Sequence, residues 1–104
     1  MSDSYIQGIQ EAIRETHGCA SSHVGTVPVK EKFKGQTVWA GKVEVFDITG
    51  HPKARQCFAW GWEDGDRWRF VAVLRVPQVN TARKAVQAYI VSKQGSRQER
   101  NHGE

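Results

Sequence analysis

Hydrophobic residues recur along this chain with two different periods, and the changes of period mark out six elements. Ile6, Ile9 and Ile13 follow one another at three- and four-residue spacing, with Glu11 and Arg14 on the other side. That is the spacing of one face of an α-helix. Ser4 suits the N-cap position, because its hydroxyl can take an otherwise unpaired backbone N–H. His17-Gly18 supplies the stop, since glycine adopts the left-handed conformation that closes a helix. From His23 to Phe33 the period becomes two, with Val27, Val29 and Phe33 alternating with Pro28, Lys30 and Lys32. Such alternation predicts a half-buried strand. Pro28 has no N–H for a ladder, so the strand belongs at a sheet edge or holds the proline at an unpaired position.

Lys34-Gly35-Gln36 reads as a three-residue turn that places Phe33 opposite Thr37. In that register Val27 and Val29 share a face with Trp39, Val43 and Val45 of a second strand over 37–47. Thr49-Gly50-His51-Pro52 breaks the pattern and predicts a loop. Two further strands are expected over 54–62 and 67–76, joined through Glu63-Asp64-Gly65-Asp66. The length of this loop decides which side chains share a face. A two- or four-residue loop sets Trp60 opposite Arg69 and puts Trp68 and Phe70 on the other face, over Gly61 and Ala59. A three-residue loop with Gly65 left-handed instead gathers Phe58, Trp60, Trp62, Trp68, Phe70 and Leu74 on one face, with Arg55, Arg67, Arg69 and Arg75 on the other. The three-residue loop is the expectation, because it separates aromatics from arginines.

Pro77 ends the fourth strand, and Thr81 caps a second helix whose Ala85, Val86, Tyr89 and Ile90 form an apolar stripe to about Lys93. Residues from Gln94 onward include no hydrophobic side chain. Nothing there offsets the entropy of ordering, so a disordered polar tail is expected over 94–104. The pattern therefore predicts a single α+β domain over 1–93, a four-stranded antiparallel sheet with an N-terminal and a C-terminal helix in the order α-β-β-β-β-α.

Composition adjusts this picture only in places. A chain of 104 residues buries roughly 60–70% of its unfolded surface, enough for one core and too little for two. Four tryptophans in that length are many, and they supply much of the core volume. The longest apolar runs, such as Phe70 to Leu74, fall far short of the ~20 residues that span a membrane. The N-terminus also lacks a basic start followed by an apolar stretch, so a cytoplasmic protein without membrane contact is expected. Cys19 and Cys57 are too few for a disulfide framework, and reduced thiols are the expectation, with a single bridge as the alternative. The net charge of +4 is uneven: residues 1–15 carry −2, residues 16–93 carry +6 and the tail is neutral. The positive excess sits on the strands, which favours acidic partners or nucleic acid weakly.

One succession of motifs stands apart: His17-Gly18-Cys19, His23, Thr26-Val27-Pro28-Val29, Trp39-Ala40-Gly41-Lys42-Val43-Glu44-Val45-Phe46-Asp47, Gly50-His51-Pro52 and Cys57-Phe58-Ala59-Trp60. It resembles uncharacterised small proteins encoded on bacterial mobile elements, especially integron gene cassettes, over about residues 15–92. The resemblance implies a mobile-element origin and an accessory role. It carries over no catalytic residue, ligand or cofactor.

The candidate chemistry is then a matter of residue types. Cys19, His23, His51 and Cys57 make up the ligand set of a tetrahedral zinc site, but their spacing matches no finger or ribbon. Buried thiols and loop histidines are the plainer reading, and the same holds against a Cys-His nucleophile, for which no orienting group is evident. Glu63, Asp64 and Asp66 lack the spaced oxygen ligands of a calcium loop. Neither metal nor cofactor is therefore expected. Arg55, Arg67, Arg69 and Arg75, with Lys42, are candidate nucleic-acid contacts, although helix-turn-helix and RNP-type patterns are absent. Trp39, Trp60, Trp62 and Trp68 are candidates for a small-ligand pocket, a protein interface or a homodimer contact. Binding, rather than catalysis, is the first expectation, and nucleic-acid recognition by the basic face is the second.

Overall fold

The structure is a computed structural model that describes the backbone of residues 2–102 and the side chains of residues 4–92. Six elements follow one another as α1 (Ser2–His17), β1 (Ala20–Phe33), β2 (Gln36–Thr49), β3 (Gln56–Asp64), β4 (Arg67–Leu74) and α2 (Ala82–His102). The four strands form one antiparallel meander in the order β1-β2-β3-β4, which is the α+β arrangement predicted. Pro28 lies on the edge strand β1. The end of α1 and the start of α2 close as their sequences require: the Gly18 N–H donates to the Arg14 carbonyl at 2.8 Å with Gly18 at φ 70°, and the Lys84 N–H donates to the Thr81 hydroxyl at 3.1 Å, whereas α1 begins before Ser4, which lies inside the helix and not at its N-cap. α2 passes the stop expected near Lys93. The expected disordered tail falls on residues whose side chains lie outside the described set.

The two helices cover opposite faces of the sheet. On one face Ile9 and Ile13 of α1 pack on Phe46 and Ile48 of β2 and on Cys57 and Ala59 of β3, with Phe70, Ala72 and Leu74 of β4 alongside. On the other, Ala82, Ala85 and Val86 at and after the start of α2 pack on Val29, Val43, Phe58 and Trp60, with Val71 and Val73 alongside. The central strand β3 is thus buried on both sides, and Cys57-Phe58-Ala59-Trp60 is an unbroken buried run.

Burial on both faces explains why the expected second hairpin is wrong. Asp64 pairs with Arg67 across a two-residue turn, Gly65-Asp66, with Gly65 at φ 71°. Trp62 therefore faces Arg69, Trp60 faces Val71, and Gly61 faces Phe70. Phe58, Trp60 and Trp62 point toward α2, while Phe70 and Leu74 join the α1 face, and Trp68 stacks on Phe70. Aromatics and arginines do not segregate, because a sheet with a helix on each face needs large apolar groups on both.

The first hairpin also turns in two residues, Lys34 at φ 54° and Gly35 at φ 81°, and Phe33 pairs with Gln36. That backbone is the primed hairpin turn that matches the strand twist. The expected register returns one step along the ladder, because β2 carries an extra residue, Val38, between Thr37 and Trp39. Val27 consequently faces Val43 and Val29 faces Gly41, as the sequence suggested. A second bulge at Val24 shifts β1 by one more residue. Bulges of this kind bend and twist a strand pair.

Phe70 is seated by two glycines. A Cβ at Gly8 of α1 would approach the Phe70 ring to 2.8 Å, and one at Gly61 would approach it to 2.5 Å. Only the absence of both side chains lets helix, ring and strand close together.

Candidate functional site

The site originates in an interruption of the sheet. The Ile48 N–H donates to the Arg55 carbonyl at 2.8 Å, so even-numbered residues of β2 and odd-numbered residues of β3 direct their backbone groups at each other. Pairing runs from Asp47 with Gln56 to Glu44 with Ala59 and then stops. The next rung would join Lys42 to Gly61. Instead, β2 stays with β1 along its whole length, and the Gly61 N–H donates to the Tyr5 hydroxyl at 3.0 Å. A phenol from α1 thus occupies the place of the missing strand.

The divergence opens a slot of about 690 Å³ between the two hairpins. Its walls are Val38 to Lys42 of β2 and Trp60 to Trp62 of β3. Tyr89 and Ile90 of α2 border it on one face of the sheet, Tyr5 on the other, and Glu44 at the last paired rung. Three rings form a connected aromatic wall: Trp39 and Trp60 lie 5.4 Å apart at 70°, Trp60 and Tyr89 5.5 Å apart at 85°. These are edge-to-face packings. Trp62 adds a fourth ring at 6.2 Å from Tyr89. Trp60 is 3% exposed and its indole N–H has no hydrogen-bond acceptor among the described residues.

Glu44 is the buried charge of the slot. Its Oε1 accepts from the Thr26 hydroxyl at 2.6 Å and from His23 Nε2 at 2.8 Å, both on the neighbouring β1. Its Oε2 accepts from none of the described residues, and the side chain as a whole is 8% exposed. Burial raises the Tyr5 phenol above its ordinary value of 10.0; the Gly61 N–H opposes that shift and the charge of Glu44 adds to it.

The candidates named from sequence separate into those the slot gathers and those it does not. Trp39, Trp60 and Trp62 line it. Trp68 lies on the opposite face beside Tyr5 and Phe70, half exposed. The four arginines divide between the two ends of the second hairpin. Arg67 flanks the turn and Arg69 forms an ion pair with Asp64. Arg55 and Arg75 border a separate shallow groove with Asp47 and Gln56, and Arg75 donates to the Gln56 side chain at 2.6 Å. Six residues of strand place Arg69 and Arg75 about 20 Å apart, so the four do not form one basic face. Lys42 is at the slot rim.

Cys19 and Cys57 share the α1 core as free thiols, and burial pushes Cys57 up to about 12, with Cys19 adding to the shift. The histidines are engaged elsewhere: His23 with Glu44, and His51 Nδ1 with the N–H groups of Lys53 and Ala54, both at 3.0 Å. Among the described residues no three His, Cys, Asp or Glu side chains form a group that could hold a metal ion. No helix among them is long and apolar enough to cross a membrane.

Tyr5 and Glu44 are the site residues that sequence reasoning missed. Tyr5 sits four residues before Ile9 on the buried stripe of α1, and Glu44 shares strand parity with buried Phe46 and Ile48. A polar group on an apolar stripe was the available signal in each case. Comparison of the chain with family models, with curated proteins and with solved structures finds no match in any of the three.

Proposed function

We propose that the protein is a non-enzymatic binding module and that its ligand, a small organic molecule with a flat apolar surface, enters the slot between the hairpins. The observation that carries this reading is the convergence of three of the four tryptophans, with Tyr5 and Tyr89, on one cavity bounded by a buried carboxylate. Its volume falls in the range of about 300–1,000 Å³ that small-molecule sites occupy, and a mainly apolar lining with a few polar groups is their usual chemistry. Nucleic-acid contact through arginines, the other reading, has less geometric support because the four are distributed over two ends of a hairpin. A cytoplasmic location, where Cys19 and Cys57 remain reduced, and a homodimer joined at the β1 edge near exposed Val24 and Phe33 belong to the same proposal. Sedimentation equilibrium tests the dimer.

The ligand site is tested by tryptophan emission during a screen of small aromatic and heterocyclic compounds. A compound that shifts the emission should lose its effect in Trp62→Leu and keep it in Trp68→Leu. Equal loss in both variants, or loss only in Trp68→Leu, would place the ligand elsewhere and defeat the reading.

A further inference from the structure

We infer that the group the slot recognises is an organic cation, an alkylated ammonium-type nitrogen held in the gap between the hairpins, with the aromatic wall on the α2 side of the sheet and Glu44 on the α1 side; this rests on the slot being the ligand site. Two independent features give the interior a negative character. Trp39, Trp60, Trp62 and Tyr89 bring four ring systems to one cavity, and the face of an aromatic ring carries the negative part of its quadrupole. Glu44 is the buried ionisable side chain among the slot's lining residues, and the other charged one, Lys42, is exposed at the rim.

The hydrogen bonding around Glu44 leaves room for such a partner. His23 and Thr26 both bond Oε1 from the β1 side. Oε2 has no donor among the described residues, and the Glu44 side chain keeps 8% of its surface exposed. A carboxylate oxygen in a partly enclosed site is stabilised by an opposite charge far more than by a neutral group. An anionic ligand would meet the same carboxylate as repulsion. The Tyr5 hydroxyl, already accepting from Gly61, presents oxygen rather than positive charge to the slot. A cation with apolar substituents satisfies both the rings and the carboxylate, whereas a strongly hydrated inorganic ion would leave the rings uncovered.

The test compares two probes of the same shape, meta-hydroxyphenyltrimethylammonium and its neutral carbon isostere meta-tert-butylphenol. Each is titrated into the full chain and followed by tryptophan emission and by calorimetry. The cation is expected to bind about tenfold more tightly or better, and Glu44→Gln should bring the ratio of affinities close to one with little change for the isostere. Trp62→Leu, which leaves Glu44 in place, should weaken the cation more than the isostere, so the inference does not depend on the fold tolerating glutamine at position 44. Equal affinity for the two probes overturns the cation inference while leaving the slot as a site for flat molecules. Binding of neither probe overturns it and removes support from the slot reading as well.

Discussion

Replacing Tyr5 with Phe removes one oxygen and tests the account of the interrupted ladder directly. The ring would keep its neighbours, Trp68 at 5.7 Å and Phe70 at 6.4 Å, so packing changes little. What is lost is the acceptor for the Gly61 N–H, which sits 3.0 Å from the hydroxyl in a half-buried position. A buried donor left without an acceptor costs about 1–3 kcal/mol. The slot admits water, which can partly replace the phenol, and this places the cost near the lower bound, about 1 kcal/mol. For a domain of this size that corresponds to a fall in Tm of about 4–8 °C. Amide hydrogen exchange then locates the loss: Gly61 should exchange about fivefold faster relative to Phe58, whose strand is paired on both sides. A Tyr5→Phe protein with unchanged Tm and unchanged Gly61 protection would refute the claim that this hydroxyl stands in for the absent rung.

Gly8→Ala would stabilise an ordinary helix by about 1 kcal/mol, but the added Cβ would sit 2.8 Å from Phe70; we expect destabilisation by thermal melting, reversed in the double variant with Phe70→Leu. Glu31 of β1 is tied to α2 by an ion pair with Arg83 and a 3.1 Å hydrogen bond from Gln87. The Arg83 hydrogen bond, then that of Gln87, hold its carboxyl below the ordinary value of 4.5. Its contribution is therefore complete above pH 4.5 and declines as pH falls through the lowered folded value. Arg83→Met should flatten the acid limb of a plot of Tm against pH. The Cys57 thiol, raised from 9.0 to about 12 by burial, should resist alkylation at pH 8 until the chain unfolds; labelling of the native protein at the rate of a free thiol would contradict that burial. Because the native state holds this proton longer than the unfolded one, stability should fall as pH rises from 9 toward 12.

The helices and strands were legible because each carries its own period and its own punctuation, as with His17-Gly18 and Thr81. Loop parity at Glu63 to Asp66 was not. Separating aromatics from arginines assumed that one face of the sheet meets water, whereas Cys57-Phe58-Ala59-Trp60, an apolar run without alternation, is the mark of a strand covered twice. The first hairpin shows the complementary case: the turn length was misjudged, yet the face assignment held because Val38 is an extra residue that restores the register. Three tryptophans of the slot were named from residue type alone. Their convergence was not visible, since the slot exists only where β2 follows β1 rather than β3, and no local pattern in Lys42 or Gly61 announces a rung that fails to form.

The seam between the hairpins, Glu44–Asp47 against Gln56–Ala59, has a mechanical meaning. Each hairpin is a long ribbon braced by its own turn, and the two are laced together only over this short length, with α2 and the Tyr5 phenol spanning the rest. A sheet built so has a compliant axis along its middle. Widening the mouth would rotate one ribbon against the other about the Glu44 rung and break no bond inside either, carrying Trp39 with the first ribbon and Trp62 with the second while the carboxylate stays at the pivot.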